Sequence, residues 1–208
     1  MDKFIALVGS LRNKIPVKLE NISAIKSEFS NWVIPGRLMC GPYPGFDALN
    51  FKTIEAAVEN IKNIKADGIN VFICLQEEEQ HQHGKPRYAS MIWDNTSYFH
   101  FPIEDNKIPS HKDFLNHLYI ILEQLSKGKN IYIHCLGGHG RTGTYIAGIL
   151  MLLYGFNAKQ ALYFTQYFHN TRRMLDGRSR GPIPCLSPEN DCQIEFIKQF
   201  DSFLKFIL

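Results

Sequence analysis

One stretch of the 208-residue chain concentrates reactive side chains: Ile131-Tyr132-Ile133-His134-Cys135-Leu136-Gly137-Gly138-His139-Gly140-Arg141-Thr142-Gly143. A cysteine closes an apolar run, and a glycine-rich loop (Gly137, Gly138 and Gly140) leads from it to an arginine. Glycine permits the backbone dihedrals at which successive amide N–H groups converge on one point, a nest for an anion. The apolar run from about Thr142 to Tyr154 predicts a helix, whose N-terminus adds positive potential at the same point. Arg141 supplies a planar fork that matches two oxygens of a phosphate. A thiol beside a cation at a helix N-terminus is favoured as the thiolate. These residue types in this order place a nucleophile against a bound phosphate, which is the arrangement for covalent phosphoryl transfer.

Blander readings leave residues unexplained. A buried structural cysteine followed by an ordinary turn accounts for neither Arg141 nor the helix behind it. No lysine completes a GxxxxGK[ST] loop, and a dinucleotide fingerprint leaves Cys135 and Arg141 without a task.

The run His134-Cys135, five residues, Arg141-Thr142 resembles the HCx5R[ST] signature of the cysteine-dependent protein tyrosine phosphatase superfamily. The layout from Trp32 to Phe200, the Gly137-Gly138 pair and Ser187-Pro188-Glu189 are similar to its compact dual-specificity branch. The resemblance implies that Cys135 attacks phosphorus to form a phosphocysteine. It implies that the backbone of Leu136, Gly137, Gly138, His139 and Gly140, with Arg141, binds the phosphate oxygens and stabilises the transition state. It assigns Thr142 to the departing thiolate and His134 to support of the loop. It also implies an acid loop of the form Pro-x-x-Asp, which Phe101-Pro102-Ile103-Glu104-Asp105-Asn106-Lys107-Ile108-Pro109 matches. By that register Asp105 protonates the leaving oxygen and later activates water, with Glu104 as the local competitor. Gln193 corresponds to a residue that positions water in some members. Cys74, at the end of an apolar run, corresponds to a redox partner that protects the nucleophile as a disulfide.

Other features carry weaker signals. His139 and Leu136 stand where phosphoinositide-directed members carry lysine, which argues against an inositol phosphate. His139 is then either a solvated loop tip or a substrate contact. Arg172, Arg173, Arg178 and Arg180 read as a solvated basic stretch or as a rim for an acidic substrate. His81, His83 and Glu77 to Glu79 read as a polar loop rather than a metal site, and the phosphocysteine route calls for no metal or cofactor. Lys85-Pro86-Arg87-Tyr88 resembles a phosphotyrosine-recognition loop only superficially.

These groups need a scaffold, and the pattern supplies one. Short runs at Trp32–Ile34 and Arg37–Cys40, separated by Pro35-Gly36, read as strands. Ile69–Leu75, Ser97–Phe101 and Asn130–His134 read as further strands, with Pro102 ending the second. Ile54, Ala57, Val58, Ile61 and Ile64 recur at helical spacing behind a cap at Asp47 or Asn50. A turn of helix is expected at Tyr88–Trp93. Phe114, Leu115, Leu118, Ile121, Leu122 and Leu125 make a helix opened near Ser110. Asn157 caps another, and Ser187 with Pro188 starts the last. Strands alternating with helices predict an α/β domain: a mainly parallel twisted sheet of about five strands with helices on both faces. Residues 31–208 form that domain, and residues 1–30 an extension packed on it, with Phe4–Leu11 a short helix or strand.

Composition bounds the rest. Lys plus Arg number 23 against 20 Asp plus Glu, a net charge of +3, too small for nucleic-acid binding by bulk charge. The five cysteines lack any CxxC pair, which speaks against a disulfide scaffold or zinc ribbon and for a reducing, cytoplasmic setting. No apolar run spans a bilayer. The expected function is hydrolysis of phosphate monoesters on a phosphorylated protein. Alternatives are the same chemistry on RNA 5′-polyphosphate ends or a small metabolite, and a catalytically silent phospho-binding module. The oligomeric state is left open.

Overall fold

Short, wholly apolar segments can only be strands covered on both sides, and the centre of the sheet is built from them. The computed structural model describes residues 1–15, 29–45, 53–77, 88–92, 95–172, 174–175, 178–179 and 185–207. Helix α1 (Asp2–Arg12) precedes strands β1 (Asn31–Ile34) and β2 (Leu38–Gly41). Helix α2 (Ile54–Ala66) leads to β3 (Val71–Gln76), a 3-10 turn (Tyr88–Met91) and β4 (Ser97–Ile103). Helix α3 (His111–Ser126), β5 (Ile131–His134), α4 (Gly140–Tyr154) and α5 (Ala158–His169) follow. The chain closes with the small pair β6 (Met174–Leu175) and β7 (Arg178–Ser179) and with α6 (Asp191–Ile207).

The five-stranded sheet runs in the order β1-β2-β5-β3-β4, with β1 antiparallel and the other pairs parallel. Every residue of β2, β3 and β5 is buried. Period-2 alternation divides their side chains between two cores. Ile131 and Ile133 face the larger core, shared with α1, α3, α4, α5 and α6. Tyr132 between them faces a smaller core with α2 and Tyr88. The expected α/β architecture, with helices on both faces, is what forms.

Several local expectations are revised. Strand β4 runs through Pro102 to Ile103 rather than ending before it. It is an edge strand, where a missing N–H need not cost a ladder bond. Helix α2 is capped by Thr53, whose hydroxyl accepts from Ala56 N at 3.1 Å; Asp47 and Asn50 lie outside the described residues. Ser187 does not cap the last helix, because its hydroxyl donates to His139 O at 3.0 Å. Asn190 takes that role, its Oδ1 accepting from Gln193 N at 3.0 Å, and α6 starts at Asp191. The segment at Tyr88 is one 3-10 turn, and Trp93 is outside the described residues. Caps at Ser110 and Asn157 form as the sequence predicts, the latter as a reciprocal box with Gln160.

Phe4–Leu11 is helical. Helix α1 packs on α3 and α4, with the Phe4 ring 6.5 Å from Tyr119 and Arg12 Nε donating to Leu152 O at 2.7 Å. Among the described residues, no helix is long and apolar enough to cross a membrane.

Candidate active site

The parallel register brings the reactive loop to the C-terminal edge of the sheet, where ligands of such sheets bind. Strand β5 ends at His134, and α4 begins at Gly140. Between them the chain turns under Cys135, which is buried and whose sulfur accepts the Gly138 N–H at 3.3 Å. Gly138 has φ +76°, the left-handed region, and a Cβ there would collide with the Gly41 carbonyl. Leu136 O accepts from Tyr43 N at 2.8 Å, fixing the loop to the turn after β2.

His134 is fully buried. Its Nε2 meets Tyr88 Oη at 2.6 Å and its Nδ1 lies 3.0 Å from Cys135 O. It holds the Cys135 backbone, and Tyr88 holds it in turn. Thr142 is buried behind the loop with a hydroxyl that has no hydrogen-bond partner among the described residues.

The cleft above Cys135 holds about 160 Å³. That is below the size of a drug-like site. Leu136, Gly137, His139, Gly140 and Arg141 line its floor, and Asp105, Asn106, Glu189 and Gln193 its wall. Gly138, His134 and Thr142 support it from behind.

Arg141 is buried and bridges floor and wall. One terminal nitrogen donates to Ile103 O at 2.8 Å, and the other pairs with Asp105 Oδ1 at 2.6 Å. Asp105 sits in a turn closed by Lys107 N to Glu104 O at 3.1 Å, with Asn106 at φ +60°. That turn aims Asp105 into the cleft, while Glu104 is exposed and does not line it. Helix α6 holds the turn in place. Asn190 Nδ2 donates to Asn106 O at 3.0 Å, and the buried Gln193 donates to Lys107 O at 3.4 Å.

Two sequence expectations are corrected. Arg172 is no surface rim; it is 3% exposed and lies against the loop. Its Nε donates to Asn31 Oδ1 at 2.7 Å, and its terminal nitrogens to Gly138 O at 3.0 Å and Cys40 Sγ at 3.3 Å. His139 is no solvated tip either; it is buried, with Nδ1 2.8 Å from His169 Nε2. Arg173, Arg180, His81, His83 and Lys85-Pro86-Arg87 lie outside the described residues, as does the side chain of Arg178.

Cys74 stands in register opposite His134, on the strand beside the one that leads to Cys135. Burial pushes its thiol up to about 11. Cys40 stands opposite Ile133 on the other side of β5, and burial also raises its thiol, against the pull of Arg172. Sequence reasoning named Arg172 only within a basic stretch, not as a support of the loop, and missed Tyr88, Asn31, Asn190 and Glu189 as parts of the site. None lies near Cys135 in the chain, and no local periodicity marks them.

The family model described as Swiss Army Knife protein, DSP-PTPase phosphatase domain, matches residues 27–185. The chain is 28% identical over 147 residues to "Putative tyrosine phosphatase 067L" of Invertebrate iridescent virus 3, covering 68% of this chain and 58% of the viral protein. It is 23% identical over 147 residues to Dual specificity protein phosphatase CDC14AB of Danio rerio, covering 69% of this chain and 22% of that protein. The chain thus spans less than two thirds of the length of these relatives. Among solved structures, Tk-PTP in its active form superposes with a TM-score of 0.58 at 22% identity, over 80% of this chain and 92% of that one. The human tyrosine phosphatase-like serine/threonine/tyrosine-interacting protein superposes with a TM-score of 0.61 at 17% identity, over 84% and 96% of the two chains. These two likenesses concern the fold.

Proposed function

The chain belongs to the family of the Swiss Army Knife protein, DSP-PTPase phosphatase domain, and we propose that it hydrolyses phosphate monoesters on proteins through a phosphocysteine. One observation carries the reading: a buried cysteine accepting a loop amide lies under a cleft in which Arg141 and Asp105 meet at 2.6 Å. The small cleft of about 160 Å³ fits this reading, with phosphotyrosine, and phosphoserine or phosphothreonine with it, as substrates.

The steps follow from the placement. An entering phosphate takes the Arg141 fork from Asp105, since a dianion offers it two oxygens. The Cys135 thiolate attacks phosphorus; the P–O bond to the leaving group breaks, and protonated Asp105 gives that oxygen its proton. Loop amides and Arg141 meet the charge on the three equatorial oxygens. Water then attacks the phosphocysteine, Asp105 takes a proton from it, and the P–S bond breaks to return thiolate and inorganic phosphate. The Thr142 hydroxyl is available to the departing sulfur, and Gln193 to the water. No cofactor enters this sequence. The five scattered cysteines, with no CxxC pair among them, support a reducing, cytoplasmic setting.

The test is a comparison of wild type, Cys135→Ser and Asp105→Ala on phosphotyrosine and phosphothreonine peptides, phosphoinositides and triphosphorylated RNA. Turnover of peptides by wild type only, with both variants retaining bound phosphopeptide, is the expected result. Turnover of lipid or RNA alone would move the substrate class. Binding without turnover by wild type would leave a phospho-binding module.

A further inference from the structure

Beside the phosphate loop, and outside the reacting groups, two buried imidazoles and a thiol converge. His139 and His169 each offer a ring nitrogen and Cys185 its Sγ, and these three atoms lie within 4.8 Å of one another; between the rings, His139 Nδ1 and His169 Nε2 are 2.8 Å apart. We propose that they form a binding site for a borderline-soft divalent cation, Zn²⁺ foremost. This is a different cluster from the His81, His83 and acidic run.

The donor set selects the ion. Two neutral imidazoles and a thiolate suit zinc, whereas Mg²⁺ and Ca²⁺ require oxygen ligands. Three protein ligands leave a fourth position for water. The nitrogen pair is close to the spacing the ion needs. Bond lengths of about 2.0 Å to nitrogen and 2.3 Å to sulfur set tetrahedral edges of roughly 3.3 Å between nitrogens and 3.5 Å from nitrogen to sulfur. The two nitrogens stand 2.8 Å apart and already point at one another, so a small opening of the pair admits the ion.

The surroundings support occupation. Both imidazoles are nearly inaccessible, at 5% and 2% exposure, so their orientation is set by packing before any ion arrives. His139 is further fixed by its carbonyl, which accepts from Ser187 Oγ at 3.0 Å. His169 is the last residue of α5, where the C-terminal end of the helix favours a cation. Cys185 is half-buried and gives the ion a way in. The ligands come from the phosphate loop, the end of α5 and the segment before α6. A bound ion therefore staples three separate pieces of chain around the catalytic cleft.

Protons balance without redox chemistry. The hydrogen shared between the two imidazoles moves to the far nitrogen of its own ring. The Cys185 thiol releases one proton to solvent as the metal–sulfur bond forms.

The test uses the full chain, reduced, carrying Cys135→Ser so that the nucleophile cannot bind metal. Titration with Zn²⁺ against a chromophoric chelator, and with Co²⁺ by absorption, should show one equivalent bound. Cobalt should give the intense visible bands of a tetrahedral site and a near-ultraviolet thiolate-to-cobalt band. Adding Cys185→Ser should abolish the thiolate band and weaken Zn²⁺ binding by at least about a hundredfold, and His169→Gln should weaken it likewise. Cys192→Ser should change nothing. Circular dichroism establishes that the Cys185→Ser protein, altered by one atom at a half-buried position, is folded. Absence of the thiolate band in the starting protein, or its persistence in folded Cys185→Ser protein, would overturn the site. The readout is binding, so the result is separate from the phosphatase reading.

Discussion

Arg172 offers the sharpest test of how the cleft is built. Its guanidinium is 3% exposed, and no carboxylate among the described residues lies within salt-bridge distance of it. It donates instead to Gly138 O, Asn31 Oδ1 and Cys40 Sγ. The first bond bears on catalysis. A trans peptide is planar, so a carbonyl drawn toward Arg172 sends the N–H of the same unit, that of His139, the opposite way. His139 lines the cleft, so on the proposed mechanism this N–H is offered to the phosphate and held in place from behind. Arg172→Met leaves Gly138 O and Asn31 Oδ1 without this donor. Hydrogen bonds to charged groups are worth about 1.5–3 kcal/mol each, and relief of the buried charge returns part of the loss. A net destabilisation of about 2–4 kcal/mol is expected, a fall in Tm of roughly 5–15 °C for a chain this long. The loss of one aligned donor should lower kcat about 10²–10³-fold. The KM for a phosphotyrosyl peptide should change far less. Arg172→Lys separates charge from shape. It restores the cation but not the fork, so kcat should stay low if the fork sets the peptide plane. Steady-state kinetics below the variant's Tm would read this. A folded Arg172→Met protein with kcat within about threefold of wild type would refute the reasoning.

Asp105→Ala should lower kcat about 10²–10⁴-fold at neutral pH and flatten the acidic limb of the pH–rate profile, while Glu104→Ala should do neither. The reverse pattern would move the acid to Glu104. Under mild peroxide, Cys135 sulfenic acid should condense with the Cys74 thiol to give a disulfide and water. Because burial holds Cys74 at about 11, that step should accelerate as pH rises through the neutral range and beyond. Non-reducing peptide mapping reads the product; sulfinic acid at Cys135 with Cys74 still free would end this idea, and a Cys40–Cys135 peptide would reassign the partner. Gln193→Ala should slow hydrolysis of the phosphocysteine more than its formation, seen as an enlarged pre-steady-state burst with an aryl phosphate.

The reactive loop was legible because its chemistry is local. Cys135, the glycines, Arg141 and the start of α4 lie within a few residues, and each type is forced by what it does there. The sheet was legible for a related reason, since wholly apolar runs such as Val71–Leu75 have few places to go but a covered strand. Reading failed where a residue's partner is distant in sequence. Arg172 looks like one of a basic cluster until the fold brings Asn31 from β1 and Gly138 from the loop against it, 141 and 34 positions away. Ser187 has the signature of a helix cap and instead binds the carbonyl of His139, 48 positions back. Pro102 reads as a strand stop because the sequence does not say which strand is the edge.

The same long-range contacts explain why Asp105 and Cys135 share one cleft. Asp105 follows β4 at the sheet's edge, whereas Cys135 follows β5, with β3 between them. Strand pairing alone leaves two strand spacings, roughly 10 Å, between those backbones. Two links close the gap. Arg141 reaches back from the start of α4 to Ile103 O and Asp105, and α6 reaches across through Asn190 and Gln193 to Asn106 and Lys107. The Arg141–Asp105 pair must yield when phosphate enters, since the fork has one set of donors for both. The α6 links need not, because they hold backbone carbonyls rather than the carboxylate. On the proposed mechanism the loop carrying Asp105 therefore keeps its position while its ion pair is exchanged for substrate, which leaves Asp105 near the leaving oxygen and free of its cation when a proton has to be given.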